Sequence, residues 1–345
     1  MPRLRRVDCA SKGLARRRVG KGFAYVDAAG NDIEDPDVIE RIERLVIPPA
    51  WEDVWICPWP NGHIQATGLD ARGRRQYRYH DAWRVHRDRQ KFDHMIEFAR
   101  ALPALREACV RHLAGDGCNR DRVLACATRM LDLGFFRIGT EGYAEENQTY
   151  GLATIRKSHV KIAGDTVVFD YVAKAGKRRI ESVVDPAVAE IVRVLKQRRG
   201  GGPELLAYQE GGTWHDVKSA DINAWIKQQS GGDFSAKDFR TWSATVLAAV
   251  ALGVSTGATS ATASKRAVAR AVTEVSHYLG NTPAVCRASY IDPRVIDRFR
   301  EGKTVRAVFE HLGADVGPGE LAIQGVVEEA VLELIDESSA TTLAA

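Results

Sequence analysis

Four side chains in this chain carry groups suited to work on a phosphate ester: Arg137, Lys174, Arg240 and Tyr290. A guanidinium presents a planar fork of N–H donors that matches phosphate oxygens, an ammonium can supply a proton, and a phenol can serve as an oxygen nucleophile. Taken singly, each has a plainer explanation, since most half-buried tyrosines only pack and most arginines only keep a surface hydrated. Their order, arginine, lysine, arginine, tyrosine, suits one reaction, and that makes the local structure around each worth reading.

Tyr290 lies in the stretch Leu279-Gly280-Asn281-Thr282-Pro283-Ala284-Val285-Cys286-Arg287-Ala288-Ser289-Tyr290-Ile291-Asp292-Pro293. Gly280 closes a long apolar-periodic helix, Thr282 and Pro283 supply an N-cap and first residue for a short second helix, and Pro293 ends it. Tyr290 is thereby held near a helix end. Gly134-Phe135-Phe136-Arg137-Ile138-Gly139 puts Arg137 just past a helix that stops at a glycine. Lys174 falls in the turn Ala173-Lys174-Ala175-Gly176-Lys177 of a hairpin. Lys237-Asp238-Phe239-Arg240 opens a helix capped by Ser235, and Arg240 is expected in its first turn, where free backbone N–H groups favour an anion.

With the further motifs Ile47-Pro48-Pro49-Ala50-Trp51 and Arg72-Gly73-Arg74-Arg75-Gln76-Tyr77-Arg78-Tyr79-His80, the chain resembles type IB DNA topoisomerases of the compact poxvirus and bacterial branch. The resemblance spans residues 18–299, and the remainder adds little to it. It implies an α+β fold: a small strand-rich N-terminal domain, residues 1–90, that clamps DNA, and a larger, mainly helical catalytic domain, residues 91–345. That second domain is of the tyrosine recombinase/topoisomerase IB type, with a small β-sheet carrying the catalytic lysine. Tyr290 is then the nucleophile, forming a 3′-phosphotyrosyl link and freeing a 5′ hydroxyl. Lys174 is the general acid, because an alkoxide leaves far less readily than a phenol of pKa about 10 and must be protonated as it departs. Arg137 and Arg240 hold the nonbridging oxygens. Strand rotation and religation relax supercoils without ATP, cofactor or required metal. The partner is double-stranded DNA, gripped by a monomer in the bacterial cytoplasm, on the nucleoid.

Asn281 departs from the poxviral and cellular pattern, which carries a histidine nine residues before the tyrosine; an amide donates a hydrogen bond to phosphate but holds no charge. His277 falls one helical turn too early to replace it. Lys237 is expected to assist proton transfer and Tyr143 to touch phosphate. Two rival readings remain. A tyrosine recombinase uses the same chemistry but carries a histidine where this chain has Lys237, and an all-helical N-terminal domain where this chain has strands. A DNA-binding protein without catalysis needs no activated tyrosine.

The chain has 345 residues and 45% apolar content, more than one core usually accommodates, so two domains are expected. It has no uncharged apolar run of membrane-spanning length and no signal-peptide core, so a soluble intracellular protein is expected. The six cysteines, Cys9, Cys57, Cys109, Cys118, Cys126 and Cys286, lack paired spacing and are expected as free thiols; Cys57 with His63 is too little for a metal site. No clustered carboxylates suggest metal-dependent cleavage. Residues 313–345 hold seven acids and no Lys or Arg, so the net charge of +4 becomes +11 on the rest, which suits a polyanionic partner.

Residues 1–22 carry eight basic side chains against one acid and are expected as a flexible basic arm or solvated edge. Strands are expected at 23–26, 54–57, 64–69 and 75–79, and a helix capped by Asp35. The last of these strands places Arg75, Gln76, Tyr77, Arg78 and Tyr79 where an ordinary strand alternates with aliphatics. It is the candidate DNA-reading strand, with an amide for base edges and cations for phosphate. From Trp83 the pattern is helical, and Pro103 is expected to restart the chain. Residues 160–162, 167–172 and 179–183 are the only clear strands of the second half. Residues 253–264 are small and hydroxylic and are expected to be mobile. The acidic tail ends in a helix with Val327, Val331, Leu334 and Ile335 on one face, expected to dock on the body.

Overall fold

The computed structural model describes residues 3–255, 260–311, 321 and 323–336. The chain divides into two compact units, residues 1–92 and 93–345.

The first unit is built on a five-stranded antiparallel sheet of order β2-β1-β3-β4-β5, with β1 Leu14–Val19, β2 Gly22–Val26, β3 Glu52–Ile56, β4 Ile64–Leu69 and β5 Arg75–Tyr79. Helix α1 (Pro36–Arg44) starts where the Asp35 carboxylate accepts the Asp37 N–H at 2.9 Å, and its Ile42 is buried with Val54, Ile56 and Ala66. The expected basic arm is different in kind. Residues 14–19 form a full strand paired with both β2 and β3. Arg16 explains why so basic a segment folds. Its guanidinium lies 4.0 Å from the Phe23 ring centroid and donates to the carbonyls of Ile47, Pro48 and Trp51 at 3.2, 3.0 and 2.7 Å. The Ile47–Trp51 motif is thus a turn held by an arginine that packs on an aromatic ring and donates three hydrogen bonds.

The division between units falls within α2 (Asp81–Leu113), which runs unbroken through Pro103. A proline inside a helix costs about 3 kcal/mol. Burial of Met95, Phe98, Leu102 and Leu105 on the same helix outweighs that, so the chain does not restart there. Helix α3 (Arg120–Gly134) is buried on all sides from Arg122 to Gly134, not on the single face that its apolar spacing suggests. It packs against neighbours on every side, and its inward charges are paired: Arg129 with Asp185 at 3.0 Å and Asp132 with Arg106 at 2.9 Å.

After the short α4 (Glu141–Asn147) comes a three-stranded antiparallel sheet, β6 (Val160–Ala163), β7 (Thr166–Ala173) and β8 (Lys177–Val184), in that order. Helix α5 (Pro186–Gln197) follows, its Val188 N–H donating to Asp185 at 3.0 Å. A further hairpin, β9 (Ala207–Glu210) and β10 (Thr213–Asp216), adds to the strands expected in this half. Its four-residue strands are too short and polar to show an alternating pattern.

The remaining helices are α6 (Ser219–Ser230), α7 (Ala236–Val254), α8 (Ala261–Leu279), α9 (Pro283–Ser289), α10 (Pro293–Arg300) and α11 (Val326–Ile335). Of the small-residue stretch 253–264, residues 256–259 lie outside the described residues, while its ends belong to α7 and α8. Much of the acidic tail also lies outside them. Its helix α11 buries Val327, Val331 and Ile335, leaves Leu334 half-buried, and sends Glu328 to Arg106 at 2.6 Å and to the Trp242 indole at 2.8 Å. Among the described residues, no helix is long and apolar enough to cross a membrane, all six cysteines are free, and no three His, Cys, Asp or Glu cluster as metal ligands.

Candidate active site

The site is organised by the end of α8. Gly280 takes the left-handed conformation, φ 63°, which lets the N–H of Gly280 reach His277 O at 3.1 Å and that of Asn281 reach Ser276 O at 3.0 Å. Thr282 then accepts the Val285 N–H at 3.3 Å and Pro283 opens α9. Tyr290 closes α9, its N–H donating to Cys286 O at 2.9 Å. Pro293 does more than end this stretch. With Asp292 accepting the Arg294 N–H at 2.9 Å, it starts α10, so Tyr290 is fixed between two capped helices.

Arg137 follows α3 through Phe135, whose positive φ of 54° turns the chain out of the helix. Its Nη2 donates to Gly280 O at 3.1 Å and to the Asn281 side-chain oxygen. Arg240 is the fifth residue of α7, one position past the first turn where it was expected. The α7 N-terminus is already met by a carboxylate, since Asp238 accepts the Ser235 N–H at 2.8 Å. The helix end therefore gives Arg240 no phosphate-binding advantage. Arg240 instead crosses to the other elements, donating to Phe135 O and, at 2.8 Å, to Leu279 O, while its Cζ lies 5.4 Å from the centroid of the half-buried Tyr290 ring.

Arg240 is 5% exposed. Burial first, and then the neighbouring charge of Arg137, push its guanidinium down to about 10, which still leaves a full cation at neutral pH. Among the described residues, two buried nitrogens here have no hydrogen-bond partner, Arg240 Nε and the Asn281 side-chain nitrogen, while the neighbouring Tyr290 hydroxyl partly offsets the lowering of the Arg240 guanidinium.

Lys174 sits exposed in the β7–β8 turn, where Ala175 and Gly176 both take positive φ, 67° and 70°. It lines a narrow cleft together with Arg137, Arg240, Arg179 and Glu181. Tyr290 meets this cleft through Arg240, and Asn281 meets it through Arg137. The four candidates and Asn281 are therefore brought together. Lys237 is exposed in the first turn of α7 and does not line the cleft. The Tyr143 side chain lies outside the described residues.

Arg179 and Glu181 escape the sequence reading. They occupy alternate positions of β8 on the face turned inward with Val183, and they form an ion pair there. Period-two counting from Val183 would have found two charges on an inward face, a signal for a built polar site. Burial raises the Glu181 carboxyl above the usual range, and burial likewise raises the phenol of Tyr171, which faces Arg179 across the β7–β8 pair.

The candidate DNA-reading strand, in the first unit, does not act as one surface. β5 is an edge strand on which Arg75, Tyr77 and Tyr79 are exposed, while Gln76 and Arg78 point to the other face. Tyr77 and Tyr79 stack with ring centroids 6.0 Å apart. Gln76 instead donates to Asp70 at 2.9 Å, and Arg78 donates to Leu45 O at 2.7 Å.

Residues 80–306 match the family described as the eukaryotic DNA topoisomerase I catalytic core, and residues 22–70 match the bacterial DNA topoisomerase IB N-terminal domain. DNA topoisomerase 1B of Acanthamoeba polyphaga mimivirus is 31% identical over 286 residues, covering 81% of this chain and 85% of that protein. DNA topoisomerase 1B of Vaccinia virus (strain Copenhagen) is 21% identical over 273 residues, covering 78% of this chain and 84% of its own length. The match across both units, the strand-rich first one included, leaves the recombinase alternative behind: the chain belongs to the type IB DNA topoisomerases.

Proposed function

We propose that Tyr290 attacks a phosphodiester of duplex DNA to form a 3′-phosphotyrosyl link while Lys174 protonates the departing 5′ oxygen, and that Arg137, Arg240 and Asn281 hold the nonbridging oxygens. The observation that carries this reading is the pair of unpartnered buried donors, Arg240 Nε and the Asn281 amide, beside Tyr290. A buried donor without an acceptor costs about 1–3 kcal/mol, so a site that keeps two of them is built for an incoming acceptor. A phosphate supplies such oxygens, and its charge offsets the repulsion between Arg137 and Arg240. The arginines are already anchored by carbonyls, so little reorganisation is needed when charge builds on the phosphorus-bound oxygens. Religation is the same sequence reversed, with the 5′ hydroxyl as nucleophile and Lys174 accepting its proton.

Relaxation of supercoiled plasmid in EDTA, without ATP, is the direct test. Both negative and positive supercoils are expected to disappear. Relaxation that needed a divalent metal would overturn the proposed division of labour.

The Asn281 amide has its oxygen on Arg137 and its nitrogen free. Asn281→Ala is therefore expected to slow single-turnover cleavage by the worth of one hydrogen bond to a charged group, about 1.5–3 kcal/mol, or roughly ten- to a hundredfold. Asn281→His keeps a donor and is expected to retain activity. Quench-flow cleavage of a suicide substrate measures both.

The strand-rich unit supports a second element of the proposal: it grips the duplex as one half of a monomeric clamp, in the bacterial cytoplasm on the nucleoid. With Arg75, Tyr77 and Tyr79 exposed together on β5, the tyrosines have the freedom to meet bases, and the arginine can exchange its exposed 3.4 Å pair with Asp53 for phosphate. Replacing Tyr77 and Tyr79 by alanine is expected to change which sites are cleaved. Arg75→Ala is expected to weaken binding evenly and reduce the slope of log affinity against log salt by about 0.9. Cleavage-site mapping and a salt titration separate the two effects.

A further inference from the structure

Four consecutive carbonyls at the end of α8 are each taken by an arginine. Arg179 donates through Nη1 to His277 O at 3.0 Å and through Nη2 to Tyr278 O at 2.6 Å. Arg240 takes Leu279 O at 2.8 Å, and Arg137 takes Gly280 O at 3.1 Å. The closing carbonyls of a helix lack partners within it and carry the negative end of its dipole, so this terminus is a natural place to gather guanidinium groups before any phosphate arrives.

Arg179 differs from the other two in where it comes from. It belongs to β8, the strand that leaves the Lys174 turn, and its side chain is only 19% exposed. The Glu181 carboxylate, two residues along the same inward face, fixes its orientation. Its guanidinium also lies against Gly280, where a Cβ would come within 3.0 Å of Nη1 and 3.2 Å of Cζ. Gly280 is thus favoured by its left-handed backbone, and a side chain there would also press on the Arg179 guanidinium.

We propose that Arg179 is a positioning residue that fastens the hairpin bearing Lys174 to the turn bearing Asn281, so that the acid keeps its place relative to the groups that hold phosphate. This rests on the reading of Lys174 as the acid. The turn that carries Lys174 is exposed and bends through two positive-φ residues, so its own geometry does not fix the lysine tip. The bidentate grip of Arg179 on the last turn of α8 ties the strand beneath it to the rest of the site. An ångström of misplacement of a reacting group can cost about a hundredfold in rate. A lysine at this position would keep the charge and lose the fork.

The test compares Arg179→Met, Arg179→Lys and Glu181→Gln in the full chain, on an oxygen-bridged substrate and on one whose leaving 5′ oxygen is replaced by sulfur. A thiolate leaves without a proton, so the sulfur substrate bypasses the acid. Arg179→Met is expected to slow cleavage of ordinary DNA about ten- to a hundredfold with unchanged DNA affinity, and to recover most of that loss on the sulfur substrate. Arg179→Lys and Glu181→Gln are expected to show smaller losses with the same recovery. They also serve if the methionine variant does not fold, as judged by its thermal unfolding. Equal losses on both substrates, or full activity in all three variants, would overturn the proposal. Lys174→Ala run alongside separates the two levels: if it too fails to recover on sulfur, the assignment of the acid is at fault, and if it recovers while the Arg179 variants do not, only the positioning role falls.

Discussion

Tyr290→Phe is expected to bind duplex DNA as tightly as the unaltered chain, to form no denaturation-resistant adduct, and to relax no plasmid. The expectation follows from what the side chain contributes. Its ring faces the Arg240 guanidinium at 5.4 Å, and phenylalanine keeps that face. Its backbone closes α9 through the bond to Cys286 O, which the substitution leaves alone. Only the hydroxyl oxygen disappears, and with it the one atom that could bond to phosphorus. Loss of a nucleophile in a site whose other groups act with it removes nearly all of the catalysis, on the order of 10⁴-fold or more. The measurement is capture on a denaturing gel. A scissile strand labelled at its 5′ end should migrate with the unaltered protein, because a 3′-phosphotyrosyl link retains the upstream fragment, and should run free with the variant. Capture of a 3′-labelled fragment would mean the opposite polarity. Capture of either by Tyr290→Phe would mean a different nucleophile.

The main parts of this site could be read from the chain because each is marked by a local signal that tertiary packing does not override. Gly280 before Asn281, Thr282-Pro283 at a helix start and the small-residue turn around Lys174 all encode backbone geometry through residues with few alternatives, and the structure shows a helix end, a helix start and a hairpin at those places. The features that escaped are those decided by distant partners. The basic run within residues 1–22 looks like a flexible arm or a solvated edge until Phe23 and the Ile47, Pro48 and Trp51 carbonyls are there to receive Arg16. Pro103 looks like a break until the burial of the helix around it is counted. α3 is buried on all sides although Arg129 and Asp132 interrupt its apolar positions, because they pair with Asp185 and Arg106, which lie far away in sequence.

Strand alternation divides the residues of β5 and gathers those of β8. A strand's alternation puts Tyr77 and Tyr79 on one face and Gln76 and Arg78 on the other, so a motif contiguous in sequence divides between two surfaces. On β8 the alternation works in reverse, bringing Arg179 and Glu181 together on an inward face where composition alone suggests only a charged strand. Arg240 shows the limit of counting from a cap. One residue's shift along α7 takes Arg240 past the free N–H groups of the helix end and places its guanidinium against Phe135, Leu279 and Tyr290.

Lys174→Ala is expected to cleave ordinary DNA about 10²–10⁴-fold more slowly, the usual range for loss of a general acid, and to approach the unaltered rate when the leaving 5′ oxygen is sulfur. Two structural facts make this substitution a clean one. Lys174 is exposed, and its side chain makes no hydrogen bond or ion pair among the described residues, so removing it leaves no orphaned partner and should not shift the thermal unfolding midpoint by more than a surface change does. Arg240→Ala is the informative contrast. Arg240 serves the Phe135 and Leu279 carbonyls from within the protein, so its loss leaves both without that donor as well as removing the proposed phosphate donor. Its cleavage defect, about 10²–10³-fold for one preorganised donor, should be the same on oxygen and sulfur substrates, since stabilising charge on the nonbridging oxygens does not depend on the leaving group. It should also lower the unfolding midpoint. The pair of experiments therefore reads two different roles from one assay: recovery on sulfur without a stability change marks the acid, and no recovery with a stability change marks the anchored cation. Should Lys174→Ala stay equally slow on both substrates, the proton must reach the 5′ oxygen from another group, and Lys237, exposed in the first turn of α7, would be the next to replace.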